Sequence, residues 1–324
     1  MINRSLFLLV VLLGPKWLFG QGCSDAGVCT AGPTGQLHLW QDSTADVVDY
    51  RHMARLGFSY AIGEQSTTIM QLNPEISIGI GPRLSFAFKI PYVFASGELG
   101  NNSGIGDAII TTSFAFIKEE DRNLTGVLGL RLPTGTTDAE WDGVSSQLQA
   151  RSLPMPYQTG LGTTDLLAAL NWRYKRYVAS IAYQHVLVND NMNGFSHYAW
   201  GNDPAILGYF ESNMLDRGDD LVARVQYAYG CGRLSLQPGL LGIYHLQEDT
   251  RVNDAATMSE MGNERITLTG SQGLTLNITA DLRYTLSEQW AVEALFGSPV
   301  ITREVRPDGL TRSLVTGFSL RYRF

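Results

Sequence analysis

The chain carries few residues that could act as a catalytic base or a metal ligand. Its histidines are His38, His52, His185, His197 and His245. No two of them stand at ligand spacing on one predicted element, which argues against a metal site. Nucleophile activation needs a serine and an oriented histidine base within hydrogen-bond reach, and no such pair is recognisable. We therefore predict no catalytic residue, cofactor or metal; a barrel lipase or deacylase that uses His185 or His245 remains the third hypothesis.

The three cysteines indicate a different chemistry. Cys23 and Cys29 lie close together near the N-terminus, and Cys231 stands far from both. In an oxidising compartment Cys23 can pair with Cys29 in a disulfide. The alternative is a lipid anchor on Cys23, although residues 20–22 lack the aliphatic residue that a lipoprotein signal usually has. A zinc site is disfavoured because no histidine cluster accompanies the cysteines.

Charged residues also recur at alternate positions of several apolar segments, where they could line an interior. These lumen candidates comprise seven basic and five acidic residues: Arg55, Glu75, Lys89, Asp107, Arg131, Asp165, Arg224, Asp281, Arg283, Glu293, Arg321 and Arg323. On a lipid-facing surface each charge would cost about 2–4 kcal/mol at the membrane midplane. They would form either a selectivity surface for anions or polar solutes, or a mutually paired ion network that fills a narrow barrel.

Asp107 stands out among these residues because it follows Gly104 and Gly106 at a loop-to-strand junction. It could hold the predicted loop 96–104 or line the entrance of a pore. The alternative is a strand-end acid that accepts hydrogen bonds from nearby backbone N–H groups.

The elements that would position these residues are strands. From 274 to 286, apolar residues alternate with polar ones, a period of two that a strand separates onto two faces and a helix would mix. Residues 84–94, 221–229 and 314–324 repeat this pattern, and eight weaker segments start near 55, 73, 107, 124, 160, 177, 233 and 289. The sequence thus predicts about twelve strands.

The predicted connections alternate in length. The short set is 81–83, 118–123, 173–176, 230–232 and 287–288, and the long set is 96–104, 134–159, 189–217, 247–269 and 302–310; the first connection of the long set, 63–68, is itself short. This alternation predicts an all-β, closed antiparallel transmembrane β-barrel over residues 54–324, with short periplasmic turns and long extracellular loops. Such a barrel belongs in the bacterial outer membrane.

The N-terminal residues precede the barrel. Residues 1–20 have a basic start at Arg4, an apolar core and a small residue at Gly20, which predicts a secretion signal; the alternative is an N-terminal membrane anchor, for which the apolar run is short. Residues 21–53 would lie in the periplasm or enter the barrel as a plug. The net charge of -7 without a basic cluster argues against a nucleic-acid partner.

Aromatic residues fall into two groups. One group lies beside the short turns and predicts an interfacial girdle: Trp172, Tyr177, Tyr227, Tyr229, Tyr284, Trp290 and Tyr322. The other lies in the long loops, which could close over the barrel, bind a substrate or dock a protein: Trp141, Tyr157, Phe195, Tyr198, Trp200, Tyr209 and Phe210.

Two short motifs carry a family resemblance. Residues 104–107 (Gly-Ile-Gly-Asp), the strand to Ile117 and residues 128–135 ending in Pro-Thr-Gly follow a Pro-Tyr-Val at 91–93. This order resembles the phenol-degradation meta-pathway outer-membrane transporters, which are similar to the long-chain fatty-acid transporter group. The resemblance covers roughly residues 70–190 and implies a channel for small, often hydrophobic compounds. The C-terminal Leu320, Tyr322 and Phe324 resemble the assembly signal of outer-membrane barrels.

These observations predict a passive outer-membrane channel or transporter for small molecules, hydrophobic or aromatic ones among them, that is not an enzyme. Its expected partners are outer-membrane lipids, the barrel assembly machinery, a small hydrophobic solute and a protein at the extracellular loops. The alternative is a non-transporting barrel that acts as an interaction or assembly partner in a membrane protein complex.

Overall fold

The computed structural model describes residues 22–23, 52–141, 151–201, 203–253 and 264–324. The predicted signal 1–20, the Cys29 half of the predicted disulfide and most of segment 21–53 lie outside the described residues. In the described ranges, no helix has the length and apolar character needed to cross a membrane.

The described part of the chain consists almost entirely of β-strands. They are β1 (Gly22–Cys23), β2 (His52–Ile62), β3 (Thr68–Ile80), β4 (Leu84–Lys89), β5 (Tyr92–Gly97), β6 (Gly100–Ile105), β7 (Ala108–Lys118), β8 (Arg122–Leu132), β9 (Thr163–Tyr174), β10 (Tyr177–Asn189), β11 (Asp220–Tyr227), β12 (Tyr229–Cys231), β13 (Leu234–His245), β14 (Thr250–Val252), β15 (Arg265–Thr267), β16 (Gly273–Thr285), β17 (Trp290–Ile301), β18 (Thr311–Arg312) and β19 (Leu314–Arg323).

Twelve strands form the wall of one closed antiparallel barrel. The order around the wall is β2, β3, β4, β7, β8, β9, β10, β11, β13, β16, β17 and β19, and β19 pairs with β2 to close the sheet. β5 continues β4 along β3, and β12 continues β11 along β13. The predicted closed barrel of about twelve strands is therefore confirmed. Closure matters in a membrane because hydrocarbon offers no partner for an unpaired strand edge.

The strands form because their side chains sort onto two different faces. In β16 the inward residues, from Thr275 through Arg283 at every second position, are buried and polar. Leu274, Ile278 and Leu282 between them point outward and stay exposed. Apolar residues outside and polar residues inside is the arrangement of a lipid-embedded barrel. The predicted bacterial outer-membrane location is confirmed with this fold.

Short connections lie at one end of the barrel and long connections at the other. Short turns follow β3, β7, β9, β12 and β16, and at the same end the His52 N–H donates to the Phe324 carbonyl (3.0 Å). The long connections 133–162, 190–219, 246–272 and 302–313 lie at the opposite end. By the usual rule for such barrels, the short-turn end is periplasmic. The first barrel strand begins at His52, slightly before the predicted residue 54.

One predicted loop, 96–104, is wrong. These residues belong to a β-hairpin, β5–β6, whose first strand pairs with the outer part of β3. Glycine, serine and asparagine in this stretch suggest a loop, but tertiary contacts keep the hairpin extended. The Leu99 N–H donates to the Tyr157 hydroxyl (3.2 Å), and the Asn102 side-chain amide donates to the Tyr157 carbonyl (2.9 Å).

The long loops fold together over the outer end of the barrel. We define the outer cap as the described residues of loops 133–162 and 190–219 together with the β5–β6 hairpin. Its apolar core joins Val93, Ala95 and Leu99 of the hairpin to buried residues of the loops, namely Leu153, Tyr157, Phe195, Trp200, Ile206 and Tyr209. This core rests on Ile69 of β3 in the wall. Of the predicted loop aromatics, Tyr157, Phe195, Trp200 and Tyr209 thus pack together in the cap; substrate binding and protein docking by these loops stay predictions.

Candidate functional site: the lumen

The inward faces of the strands line a cavity of about 120 Å³. On one side it follows a wall of small residues from β2, β17 and β19: Gly57, Ser59, Gly297, Gly317 and Ser319. Gly297 shows how much room lies there, because a Cβ atom built on it would meet no atom within 4 Å. The wall is therefore smooth and leaves space beside it.

A row of charged side chains lines the lumen from several wall strands. We call this row the lumen belt, and it consists of Arg55, Glu75, Lys89, Arg224, Asp281, Arg283, Glu293 and Arg321. Five of these residues, namely Arg55, Glu75, Lys89, Arg224 and Glu293, line the cavity. All eight were predicted to face the lumen from the alternation alone, and the structure places them on inward faces.

Glu293 is the centre of the belt. One of its oxygens, Oε1, lies 3.0 Å from Arg283 Nη2 and 3.6 Å from Arg321 Nε. The other, Oε2, lies 3.4 Å from Arg55 Nε and accepts a hydrogen bond from Ser319 (3.2 Å). Arg55 also approaches Glu75 at 3.6 Å. A single carboxylate thus serves three guanidinium groups.

The other predicted lumen residues lie on both sides of this centre. Arg224 contacts Asp281 at 2.6 Å. Nearer the outer end, buried Arg131 pairs with buried Asp165. Arg323 lies at the periplasmic end of β19, opposite Met53 of β2. The ion pairs show that much of the lumen charge is mutually compensated, as the structural alternative predicted.

Asp107 faces inward at the outer end of β7, where its carboxylate holds a loop. The Gly135 N–H donates to its Oδ1 (3.1 Å), and the Leu161 N–H donates to its Oδ2 (2.9 Å). One buried side chain thus fastens both ends of loop 133–162. This combines the two predicted roles, because Asp107 accepts backbone N–H bonds and holds a loop, although that loop is 133–162 rather than 96–104.

A second charged cluster was missed by sequence reasoning. This outer network consists of Arg217, Asp220, His245, Asp249, Arg303 and Asp308 and is buried beneath the outer loops. The two ring nitrogens of His245 lie 2.7 Å from Asp220 Oδ1 and 2.8 Å from Asp249 Oδ1. Because both contacted atoms are carboxylate oxygens, the geometry calls for a doubly protonated imidazolium.

Two arginines complete the outer network. Arg303 lies 2.9 Å from Asp308, and Arg217 lies 3.3 Å from the same carboxylate. Burial alone would raise the pKa of Asp308, but these two guanidinium groups outweigh it and hold the pKa below its usual range. Four of the six residues come from loops, whose sequence has no period that would place them. Asp220 and His245 do continue the inward alternation of β11 and β13, which was the available signal.

His185 lies on the outer wall, as its strand face predicts. Its side chain is 46% exposed, its Nδ1 lies 2.8 Å from Asp219, and the Tyr183 hydroxyl donates to the same carboxylate. Among the described residues, no group of three or more histidine, cysteine, aspartate or glutamate side chains could hold a metal ion. Cys231 is a free, exposed thiol next to a periplasmic turn.

The C-terminal residues Leu320, Tyr322 and Phe324 share the outward face of β19. The Tyr322 ring lies 4.6 Å from Trp290 and 5.7 Å from Phe324, so aromatic rings pack side by side at the periplasmic rim. Recognition of this end by the assembly machinery remains a prediction.

Comparison with known proteins supports the fold. No protein-family model matches the chain, and no curated protein matches it. Among solved structures, the COG4313 outer membrane channel from Pseudomonas putida F1 is 15% identical, with 86% of this chain and 100% of that chain covered and a TM-score of 0.54. A KdgM porin is 8% identical over 84% of this chain and 99% of that chain, with a TM-score of 0.42. The resemblance to the phenol-degradation group therefore stays a prediction.

Proposed function

We propose that this protein is a passive outer-membrane channel for small molecules. The observation that carries the proposal is a closed, lipid-embedded barrel whose polar interior holds a cavity of about 120 Å³. A barrel that served only as a membrane scaffold would not need an unfilled space beside three glycines. Transport through such an interior requires no cofactor, since the solute moves down its own gradient.

Aromatic and other hydrophobic solutes are the class that we propose. The sequence motifs around Asp107 and Gly135 support it by their resemblance to transporters of that kind. The small-residue wall supports it physically, because a flat ring can approach a surface made of glycine and serine closely. Polar groups on the adjacent strand β3, such as Gln71 and Asn73, would orient such a ring.

The segment before the barrel is described only at its start. Gly22–Cys23 pairs with Thr311–Arg312 at the outer end of the barrel. Residues 24–51 lie outside the described residues, so the periplasmic or plug role of segment 21–53 stays a prediction.

Filling the cavity tests the channel. The protein is reconstituted in planar lipid bilayers, and single-channel conductance is compared between wild type and Gly297→Trp. Because Gly297 faces open space, the indole should fill the cavity without disturbing the wall, and conductance should fall at least about twofold.

Gly230→Trp is the matched control for this substitution. Gly230 lies in β12 beside a periplasmic turn, where an added Cβ also meets no atom within 4 Å, so its conductance should equal that of wild type. A wild-type protein that neither conducts ions nor admits small aromatic solutes to liposomes would refute the channel proposal.

A second candidate function is an interaction partner in a membrane complex. Apolar side chains stand exposed on the surface of the outer cap, notably Met192, Tyr198 and Leu207. Such residues favour protein contacts when they are grouped. Purification in mild detergent would reveal a stoichiometric partner, and loss of that partner in Tyr198→Ser would support this function. A wild-type barrel that purifies alone would argue against it.

A further inference from the structure

A histidine, a tyrosine and an aspartate form a polar cluster on the lipid-facing side of the wall. Tyr183 and His185 lie on the outward face of β10, and Asp219 lies directly before the neighbouring strand β11. The Asp219 carboxylate contacts the Tyr183 hydroxyl and His185 Nδ1 (2.8 Å), and it accepts a hydrogen bond from the Val186 N–H (3.0 Å). Because the cluster stands outside the lumen, a channel function leaves it unexplained.

Asp219 fixes the orientation of the imidazole ring. A carboxylate oxygen only accepts hydrogen bonds, so His185 Nδ1 carries the proton and donates it. The second ring nitrogen, Nε2, then points away from Asp219. The His185 side chain is 46% exposed, compared with 12% for Asp219. Within the part of the chain that the structure describes, the contact with Asp219 is the hydrogen bond of this ring, which leaves Nε2 available to a molecule from outside.

The cluster stands close to the outer border of the membrane. His185 follows Tyr177, which lies at the periplasmic end of β10, by eight residues. Eight residues of strand span about 26 Å, and a tilt of about 40° converts this length into a height of roughly 20 Å. The apolar band of such barrels is about 25 Å tall. Tyr183 and Tyr244 are both exposed and share a level through their register partner Leu221, as expected of an aromatic girdle at a membrane border.

Apolar side chains cover the wall between this cluster and the middle of the membrane. Ile181 and its register partner Leu170 on β9 are exposed on the outward face. Leu166, the register partner of His185, is exposed as well. An acyl chain that lies on these residues would bring its polar headgroup to the level of His185. The surface thus offers hydrocarbon contacts toward the membrane centre and a hydrogen-bonding imidazole at the border.

Phosphate is the headgroup chemistry that fits this imidazole. When the ring takes up its second proton, in mildly acidic solution, Nε2 becomes a positively charged donor. A charge-assisted hydrogen bond to a phosphate oxygen is a strong and short one. The titratable groups that contact the ring are Asp219 and Tyr183, whose ring is stacked at 6.0 Å, whereas β9 presents Leu166 on this face. The Asp219 oxygens face other donors, on the side of the ring away from Nε2.

We propose that His185, held by Asp219 and flanked by Tyr183, binds the phosphate group of an outer-leaflet lipid. Nε2 of the imidazolium donates to a phosphate oxygen, and Ile181 and Leu170 contact the acyl chains. A lipid bound there would contact the wall where loop 190–219 joins β11. The site lies outside the barrel, so it is independent of any solute that passes through the lumen.

Lipid retention by the full chain tests the site. Native mass spectrometry in a mild nonionic detergent compares dihexanoyl phosphatidic acid with dihexanoylglycerol, which has the same acyl chains without the phosphate. In mildly acidic buffer the wild type should bind the phosphatidic acid at least about threefold more tightly, the scale of one exposed ion pair. In mildly alkaline buffer the preference should vanish, because a neutral imidazole that donates from Nδ1 has no second N–H.

Substitutions at His185 separate its charge from its bulk. His185→Gln should lose the preference in both buffers, whereas His185→Arg, a permanent cation, should keep it in both. Tyr244→Phe is the matched control, since Tyr244 is exposed at the same level of the wall and two strands away, and it should behave as wild type. Single-channel conductance should be the same in His185→Gln and wild type, because His185 does not face the lumen.

Inorganic phosphate distinguishes the two sources of the ligand. It lacks acyl chains, so a large molar excess of it should leave the phosphatidic acid bound. Displacement of the lipid would show a site for free anions and overturn the assignment to a lipid. Equal retention of the two lipids by wild type, or an undiminished preference in His185→Gln, would overturn the phosphate site itself.

Discussion

Glu64 is a buried acid at the turn between β2 and β3, where the barrel wall meets the outer cap. Burial is the main influence on its carboxyl group and raises the pKa of Glu64 to about 8, although Arg306 opposes the shift. The Arg306 Nε lies 3.9 Å from its Oε1. Next to it, Gln65 donates to the Gly208 carbonyl at 2.9 Å. Glu64 is therefore neutral where wall and cap touch, and its ionisation would weaken that contact.

The stability of the cap should fall as the pH rises. A carboxyl whose pKa is raised on folding contributes nothing at low pH and opposes folding increasingly between its unfolded value, about 4.5, and about 8. We expect hydrogen exchange in loop 190–219 to be at least about tenfold faster at pH 9 than at pH 5, after correction for intrinsic rates. Most of this difference should vanish in Glu64→Gln.

Glu98→Gln provides the comparison for Glu64, since Glu98 is exposed at the tip of the β5–β6 hairpin. It should retain the wild-type pH dependence. An unchanged profile in Glu64→Gln would show that another group, such as His245 of the outer network, controls the cap.

At the scale of elements, loop 133–162 illustrates how a long connection is fixed by few contacts. Its two ends approach so closely that a Cβ on Gly135 would stand 2.7 Å from the backbone of Gly160. Glycine is required at this crossing for that reason. Asp107 then bonds to both ends, so the motif containing these residues serves to position the cap.

Removing the Asp107 carboxylate should release this loop. Asp107→Ala leaves the buried N–H groups of Gly135 and Leu161 without an acceptor, at a cost of about 1–3 kcal/mol. Faster amide exchange at these two residues is the expected result. Asp121→Ala, in the exposed turn before β8, should leave those amides protected, and equal protection in Asp107→Ala would contradict the assigned role.

The whole molecule is organised opposite to a water-soluble protein, with apolar side chains outside and polar ones inside. Phe58 on β2 and Phe318 on β19 are paired neighbours on the lipid side. On the same strands, Arg55 and Arg321 lie inside. The barrel is stable in lipid because each strand meets hydrocarbon on one face and a hydrogen-bonded polar interior on the other.

A charge should therefore be tolerated on one face only. Phe318→Arg places a cation in the lipid, and we expect a loss of about 2–4 kcal/mol in the free energy of unfolding from bilayers. Gln71→Arg faces the cavity and should cost much less. Denaturant titration of folding into liposomes measures both, and equal losses would mean that Phe318 does not face lipid.

The sequence alone determined the barrel and most of its polar lining. A period of two is a local property of the chain, so the inward positions of Arg55, Glu75 and Arg283 follow from counting residues along a strand. Loop lengths likewise predicted which end of the barrel carries the short periplasmic turns and which carries the long outer loops. Closure followed because a membrane leaves no other arrangement for amphipathic strands.

Only the tertiary structure decided which of these residues meet. That Glu293 serves three arginines depends on strand order and register. β16, β17 and β19 are consecutive strands of the wall, but Arg55 on β2 comes near Glu293 only because β19 pairs with β2 and closes the barrel. The hairpin at 96–104 and the outer network were hidden for the same reason. Apart from Asp220 and His245, which lie at the ends of periodic strands, the residues of the outer network lie in loops without periodicity, and contacts between distant parts of the chain hold them in place.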